Sequence, residues 1–140
     1  MLCRIWHMGD IVKLNLAMPV RVTEPHPFID TVRGCLALER GPLVYCFERI
    51  DHPHLNLKSL QLNPDAPVKI VPWPDRLGGI VALRTRGRYF AADDWFSRLY
   101  VTRGSLRVRS DEVDLLAIPY FAWANRDMGQ MRVWLPKLEA

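Results

Sequence analysis

Residues 33–48 read RGCLALERGPLVYCFE, and this stretch decides the fold. The runs 33–40 and 42–48 have the apolar content of two β-strands, and Arg40-Gly41-Pro42 stands between them. Glycine gives the backbone freedom beside a proline that cannot donate a hydrogen bond, so a turn is predicted there. A strand that is apolar on both alternating faces is covered on both sides, as in the centre of a sandwich. The second run has this pattern, with Leu43, Tyr45 and Phe47 alternating with Val44, Cys46 and Glu48.

The rest of the chain is divided into short segments of strand character. Its 11 prolines and 8 glycines favour many short elements joined by turns. Residues 11–17 alternate as a strand that would follow a hairpin turn at His7–Asp10. Roughly seven to ten short strands, without a long amphipathic helix, predict an all-β fold, an antiparallel β-sandwich of jelly-roll type. The other candidate segments are 57–62, 68–71, 79–90, 105–110, 113–120 and 130–135, with a polar turn at 110–112.

Composition excludes several broad classes of protein. With 140 residues, 49% of them hydrophobic and 24% charged, the chain has the balance of a globular domain. No apolar run has the length that spans a bilayer, and no secretory signal is visible. We therefore expect a cytoplasmic protein with no membrane partner. An odd number of cysteines, Cys3, Cys35 and Cys46, forms no complete disulfide framework and fits a reducing compartment.

No catalytic or metal-binding arrangement stands out among the polar residues. Glu39 and Glu48 flank the turn as any cross-strand pair could, and nothing marks them as the two carboxylates of a glycosidase. His52 and His54 lie in a loop without the spacing of a metal motif. Cys46 lies in an apolar strand, where burial would raise the pKa of its thiol and make it unreactive. We expect no catalytic residue and no cofactor in this chain.

The basic residues suggest a nucleic-acid surface as one hypothesis. The net charge is +4, and 15 of the 19 basic residues are arginines. Arg84, Arg86 and Arg88 have a period of two, so a strand would present them on one face. Together with neighbouring aromatic rings they resemble a surface for single-stranded nucleic acid, although a solvated strand face is the favoured interpretation. The residues that could add to this surface are Tyr89, Phe90, Trp95, Arg103, Arg107 and Arg109.

The C-terminal part of the chain is dense in aromatic residues. Asn125-Arg126 lies among them. Aromatic planes beside amide and guanidinium donors suit sugar recognition, a packed domain interface or an ordinary core, and the pattern leaves all three open. The aromatic residues are Tyr120, Phe121, Trp123 and Trp134.

Three segments resemble glycoside hydrolase family 127, which includes β-L-arabinofuranosidases and was long catalogued as a domain of unknown function. Residues 33–48 are similar to the family's AL-(Q/E)RGPLVY-x-(L/F)E segment. Residues 117–135, AIPYFAWANRDMGQMRVWL, are similar to its closing IPY-(Y/F)-AWANR…G-x-M-x-VW segment. Residues 4–21, RIWHMGDIVKLNLAMPVR, resemble R-x-W-x-x-GD-x-V-x-L-x-LPMPVR, with Ala17 in place of a proline. The segments occur in the family's order, and the resemblance is weakest over residues 49–110.

The resemblance implies a non-catalytic module. Members of this family have a helical (α/α) barrel that carries the active site, followed by β-sandwich domains. Their retaining mechanism uses a cysteine nucleophile held by zinc with further cysteines and a glutamate, and a separate glutamate as acid/base. No segment here matches that zinc motif with its adjacent Cys-Cys pair, so zinc is expected in the catalytic domain. The chain would be a fragment, with residues 1–24 as a terminal hairpin left from a preceding sandwich and residues 25–140 as the C-terminal β-sandwich.

The same resemblance implies partners for the chain. The first is the catalytic barrel of the parent enzyme, which would hydrolyse β-L-arabinofuranosides or related glycosides. A homodimer through exposed strand edges is a second possibility, and a stand-alone carbohydrate-binding module is the alternative function. The candidates for contact with a domain or a sugar are Arg40, Tyr45, Glu48, Tyr120, Trp123, Asn125 and Arg126.

Overall fold

A computed structural model describes residues 3–91, 98–102, 104–105 and 109–138. These residues form nine β-strands and four short 3-10 helices, which confirms the predicted all-β class. The strands are β1 (Val20–Thr23), β2 (Cys35–Arg40), β3 (Leu43–Glu48), β4 (Leu60–Leu62), β5 (Lys69–Trp73), β6 (Ile80–Phe90), β7 (Ser110–Pro119), β8 (Met131–Arg132) and β9 (Leu135–Pro136). The 3-10 helices are Asp30–Val32, Arg49–Asp51, Leu57–Ser59 and Tyr120–Ala122. In this part of the chain no helix is long and apolar enough to cross a membrane.

The strands form one curled antiparallel sheet in the order β1-β2-β3-β7-β6-β4. Strand β5 pairs with the first half of β6, β8 pairs with β3, and β9 pairs with β2. The two ends of the sheet approach each other, because the backbone N–H of Leu138, just after β9, donates to the carbonyl oxygen of Leu62 in β4 over 2.9 Å. The sheet therefore encloses its own core, as the predicted sandwich requires.

The stretch 33–48 forms the hairpin that the sequence predicts. Arg40 pairs with Leu43, so Gly41 and Pro42 make the tight connection between β2 and β3. Gly41 has φ +55°, and a Cβ at this position would overlap the Sδ atom of Met18. The positive φ is what favours glycine here, because the end of the flexible Met18 side chain could move away from a Cβ.

Two hydrophobic clusters lie on opposite faces of β3, β6 and β7. In β3, Tyr45 and Phe47 belong to the larger cluster and Cys46 to the smaller one. The prediction that this strand is covered on both sides is therefore confirmed. The larger cluster lies inside the curled sheet, and the smaller one is covered by the Tyr120–Ala122 helix and residues of β5 and β8.

Residues 3–19 differ from the hairpin that was expected there. The turn forms, with the backbone N–H of Asp10 donating to the carbonyl oxygen of His7 over 3.1 Å, but the structure assigns no strand to residues 3–19. No described strand lies beside residues 11–17 to accept their backbone hydrogen bonds, so the strand pattern has no partner. The sheet itself begins at Val20, which pairs with Arg40. The exposed apolar residues of this segment are Ile5, Trp6, Met8, Ile11, Val12, Leu14 and Leu16.

Candidate domain-docking site

A buried ion-pair cluster joins the end of β3 to the loop after the Tyr120–Ala122 helix. Arg126 donates to both carboxylate oxygens of Asp51, over 2.8 and 2.6 Å, and also to Oε2 of Glu48. The side chains of Arg126, Glu48 and Asp51 are only 17%, 4% and 9% exposed. A planar guanidinium that bonds two carboxylates in this way fixes their geometry as well as their charge. We call these three residues the ion-pair cluster.

The cluster holds the following loop in a strained conformation. Oε1 of Glu48 accepts a hydrogen bond from the backbone N–H of Ala124 over 3.0 Å. Ala124 has φ +62°, a left-handed conformation that costs a non-glycine residue about 1–2 kcal/mol. Glu48 therefore uses both oxygens to secure this loop, one on Arg126 and one on the backbone.

The two carboxylates further stabilise the charged form of Arg126. The bonded carboxylate of Asp51, followed by that of Glu48, raises the pKa of Arg126 above its ordinary value, although burial opposes this shift. The guanidinium carbon also lies 5.6 Å from the centre of the Trp73 ring, within the range of a cation–π contact. The cluster contains two carboxylates and one guanidinium, so its formal charge is negative. Glu48, Asp51 and the Trp73 ring together hold the guanidinium of Arg126 in position.

His52 ties the same region to the central strands. It is buried, its Nδ1 lies 2.8 Å from the carbonyl oxygen of Glu48, and the backbone N–H of Leu116 donates to its Nε2 over 3.1 Å. A backbone N–H can only donate, so Nε2 accepts and the proton resides on Nδ1. His52 is therefore a neutral structural link between the Arg49–Asp51 helix and β7.

Next to the loop that the ion-pair cluster holds, the Tyr120–Ala122 helix and the residue that follows it present an aromatic patch, which we define as Tyr120, Phe121 and Trp123. Their exposed fractions are 46%, 65% and 39%, whereas Ala122 between them is buried in the smaller hydrophobic cluster. Tyr120 and Trp123 stack with ring centres 5.9 Å apart and planes inclined by 28°. The patch is thus a rigid, exposed apolar surface of the kind that marks an interaction site.

Asn125 fixes the end of the aromatic patch. Its Nδ2 donates to the carbonyl oxygens of Ala122 and Trp123, over 3.2 and 3.3 Å. Five sequence candidates therefore meet in one region: Glu48 and Arg126 below the surface, Asn125 in the loop, and Tyr120 and Trp123 on the surface.

The remaining two candidates lie elsewhere. Tyr45 has no exposed surface, and its hydroxyl donates to the carbonyl oxygen of Val81 over 2.8 Å. Burial raises the pKa of the Tyr45 phenol, while the nearby Arg40 guanidinium acts in the opposite direction. Arg40 is half-buried in β2. Tyr45 can contribute to a surface contact only by supporting the sheet beneath it.

The arginine stripe on β6 faces acidic residues. Arg84, Arg86 and Arg88 are all exposed on one side of the strand, as their spacing predicts. On the adjacent strand β7, Asp114 lies opposite Arg86 and Glu112 lies opposite Arg88, and Arg86 makes a 3.1 Å ion pair with Glu112. This arrangement is typical of a solvated, charge-paired sheet face. Trp95, Arg103 and Arg107 lie outside the residues that the structure describes.

The structure does not provide the chemistry of a metal-dependent nucleophile. Among the described residues no three His, Cys, Asp or Glu side chains are grouped as metal ligands. Burial, and secondarily the charge of Glu48, raises the pKa of the Cys46 thiol to about 12, so the thiol is protonated at neutral pH.

Cys46 is expected to resist alkylation in the folded protein. At pH 9 the folded thiol stays protonated because its pKa is about 12, whereas a thiol with the ordinary value of 9.0 is half ionised. On raising the pH, the Cys46 thiol loses its proton in the unfolded chain before it does so in the folded protein. The contribution of this thiol to the free energy of unfolding is therefore fully present below pH 9 and declines between pH 9 and 12. Iodoacetamide treatment at pH 9 followed by mass spectrometry should label exposed Cys3 and leave Cys46 free until urea is added. Equal labelling of the two thiols in the folded state would contradict this.

Comparison with known proteins places these features in context. The model of the glycoside hydrolase family 127 C-terminal domain matches residues 20–136. The non-reducing end β-L-arabinofuranosidase of Bifidobacterium longum subsp. longum is 33% identical over 132 residues, which is 90% of this chain and 20% of that protein. The crystal structure of a family 127 β-L-arabinofuranosidase from Geobacillus stearothermophilus T6 is 36% identical with a TM-score of 0.76, covering 86% of this chain and 18% of that one. A second solved family 127 β-arabinofuranosidase is 34% identical with a TM-score of 0.70, covering 86% and 17%. The chain thus spans about a fifth of the length of these relatives.

Proposed function

The chain belongs to glycoside hydrolase family 127, whose C-terminal domain it carries over residues 20–136, and from this we propose that it is a non-catalytic β-sandwich module of an enzyme that hydrolyses β-L-arabinofuranosides or related glycosides. The observation that carries the proposal is the aromatic patch, an exposed surface held rigidly by a buried ion-pair cluster. The carboxylates of Glu48 and Asp51 are committed to Arg126, which leaves them unsuited to acid–base catalysis. The zinc and the nucleophile belong, on this proposal, to the catalytic barrel.

The aromatic patch is proposed to pack on that barrel. An interface between domains of one chain is anchored by a few aromatic side chains in a desolvated centre. Phe121 is 65% exposed and lies in the sequence between Tyr120 and Trp123, whose rings stack, so it has the position of such an anchor. Covering the patch would bury apolar surface without moving the loop, because Glu48 and Asn125 already fix its conformation.

Residues 3–19 are proposed to form the last strands of the domain that precedes this one. The family's C-terminal domain begins at residue 20, and the apolar side chains before it are exposed, with Ile11 at 81% and Leu14 at 79%. An alternating segment with unpaired backbone groups fits the edge of another sheet. A second copy of this chain would present the same unpaired backbone at residues 3–19, so two copies could pair through these segments as a homodimer.

Sugar binding at the aromatic patch is the second candidate function. The stacked rings of Tyr120 and Trp123 make an exposed platform, and amphipathic aromatic rings can lie against the apolar face of a sugar. Such a platform would serve a carbohydrate-binding module. A domain contact is favoured because Phe121 adds a fully apolar ring to the same surface.

A chimera tests the proposed packing. Residues 20–136 would replace the C-terminal domain of the Geobacillus stearothermophilus enzyme, with F121A as the variant and F28A, a phenylalanine that is 85% exposed outside the aromatic patch, as its matched control. In the 140-residue chain alone both substitutions should change stability by less than about 0.5 kcal/mol. In the chimera F121A should lower stability by about 1–2 kcal/mol and F28A should not.

The activity of the same proteins completes this test. Only the chimera should release nitrophenol from a nitrophenyl arabinofuranoside, and the 140-residue chain should release none with or without zinc. Turnover by the isolated chain, or equal effects of F121A and F28A in the chimera, would refute the proposed module.

A further inference from the structure

Three clefts lie next to one another beside the ion-pair cluster, along the segments 49–58 and 127–132, and we call them together the groove. Their volumes are about 430, 320 and 300 Å³. Arg49 lines both the first and the second cleft, and Gln130 lines both the second and the third. Each cleft has the volume at which small-ligand sites begin, about 300 Å³, and the shared wall residues place the three clefts side by side.

The backbone holds the walls of the groove in place. The N–H of Arg49 donates to the carbonyl oxygen of Gln130 over 2.9 Å, and β3 pairs with β8 directly beneath, with Phe47 opposite Arg132. Asn56 accepts a hydrogen bond from the backbone N–H of Lys58 through Oδ1, over 3.0 Å. The groove is therefore formed in advance of any ligand.

The lining has the donors and the charge for an anionic sugar chain. Asn56 and Gln130 supply amides and Tyr89 supplies one aromatic ring. Arg49, Lys58 and Arg132 supply three cations, and within the described residues none of them takes part in an ion pair. Among the lining residues that the structure describes, one is acidic, Asp127 of the first cleft. On the β6 stripe, Asp114 and Glu112 of β7 lie opposite Arg86 and Arg88, and Arg86 is ion-paired with Glu112, whereas Leu116 lies opposite Arg84.

We infer that this groove binds a carboxylate-bearing polysaccharide, with the three cations on its carboxylates and the amides and Tyr89 on its hydroxyls and ring faces. The inference rests on the proposed function, because a module of a sugar-cleaving enzyme can bind a carbohydrate chain, and the three cations select one that carries carboxylates. The groove would hold the enzyme on an acidic carbohydrate without contacting the bond to be cleaved. Single-stranded nucleic acid is less suited to it, because such sites use successive aromatic side chains to stack successive bases, and Tyr89 is the one Phe, Tyr or Trp side chain among the described lining residues.

The test is the binding of the full 140-residue chain to polygalacturonate, measured by calorimetry at low salt. We expect saturable binding that weakens as salt rises, and little binding to a neutral arabinan or to the methyl-esterified polymer, which keeps the sugar and loses the charge. The R49Q/R132Q variant should bind polygalacturonate about tenfold more weakly or worse. The R84Q/R88Q variant removes the same charge from the β6 stripe and should bind as the unmodified chain does.

Several results would overturn the inference. These are the absence of binding to polygalacturonate, equal binding to the esterified polymer, equal or tighter binding to single-stranded DNA, and equal losses in the two double variants. The comparison of the charged and esterified polymers needs no variant, so it decides the matter even if R49Q/R132Q fails to fold. The readout is binding alone, so its failure would leave the chimera experiment on domain packing unaffected.

Discussion

Replacing Arg126 with methionine is expected to lower the free energy of unfolding by about 3–5 kcal/mol, because it leaves the buried carboxylates of Glu48 and Asp51 without their cation. Methionine keeps much of the side-chain length, so the change removes charge and hydrogen bonds more than volume. Urea unfolding followed by tryptophan fluorescence measures this loss. For a domain of this size such a change is a large part of the total stability.

Two further variants distinguish unpaired charge from lost packing. R86M breaks an ion pair with Glu112 whose side chains are 54% and 60% exposed, and should cost less than about 1 kcal/mol. Adding E48Q and D51N to R126M should restore part of the stability, because neutral amides remove the unpaired charges and the amide oxygen introduced by E48Q can still accept from the N–H of Ala124. If R126M unfolds at the same urea concentration as R86M, the ion-pair cluster does not hold the loop after the Tyr120–Ala122 helix as described.

The sequence predicted best where a local pattern and the final packing agree. The hairpin of β2 and β3 follows from Gly41-Pro42 and from two alternating apolar faces, and both features are read from neighbouring residues. The exposed side of β6 follows in the same way from the spacing of its arginines. In these cases the period of the strand alone decides which face meets the core.

The prediction was poorer where the partner is distant in sequence. The polar run at 110–112 was expected to be a turn, yet it lies in β7, because Asp111 and Glu112 pair with Tyr89 and Arg88 of β6. Cross-strand pairing to basic neighbours lets acidic residues continue a strand. A local pattern shows neither the partner strand nor its charge.

The candidate site was predicted in part for the same reason. Glu48 and Arg126 were identified, but Asp51, which binds the same guanidinium, was missed, and His52 was considered only as an exposed loop residue. Both are held by contacts across the fold, to Arg126 and to Leu116. The one available signal was the clustering of Glu48, Asp51 and His52 within five positions at the end of a buried strand.

Substituting Gly87 with alanine is the second change expected to have a large effect, with a loss of about 3 kcal/mol in the free energy of unfolding. Gly87 lies in β6 between Leu62 of β4 and Val113 of β7. A methyl group here would overlap the backbone carbonyl oxygen of Gln61 and lie 2.6 Å from Cδ1 of Leu115. A side chain can rotate away from such an overlap, but a backbone oxygen can move only with its strand. Strand β4 also closes the sheet through the hydrogen bond from Leu138 to Leu62, so the displacement would open the core at that seam.

Gly129 supplies the matched control for this substitution. A methyl group at Gly129 would meet only Cβ of Arg49, at 3.5 Å, which is an ordinary contact. G129A should therefore change stability by less than about 0.5 kcal/mol, since surface substitutions of this kind are nearly neutral. Hydrogen exchange of G87A should show faster exchange at Leu62 and Leu138, the two sides of the seam, while the β2–β3 hairpin stays protected. Equal stability of G87A and G129A would mean that the backbone of Gln61 in β4 does not lie against Gly87 of β6, and that the sheet is not closed at the seam between Leu62 and Leu138.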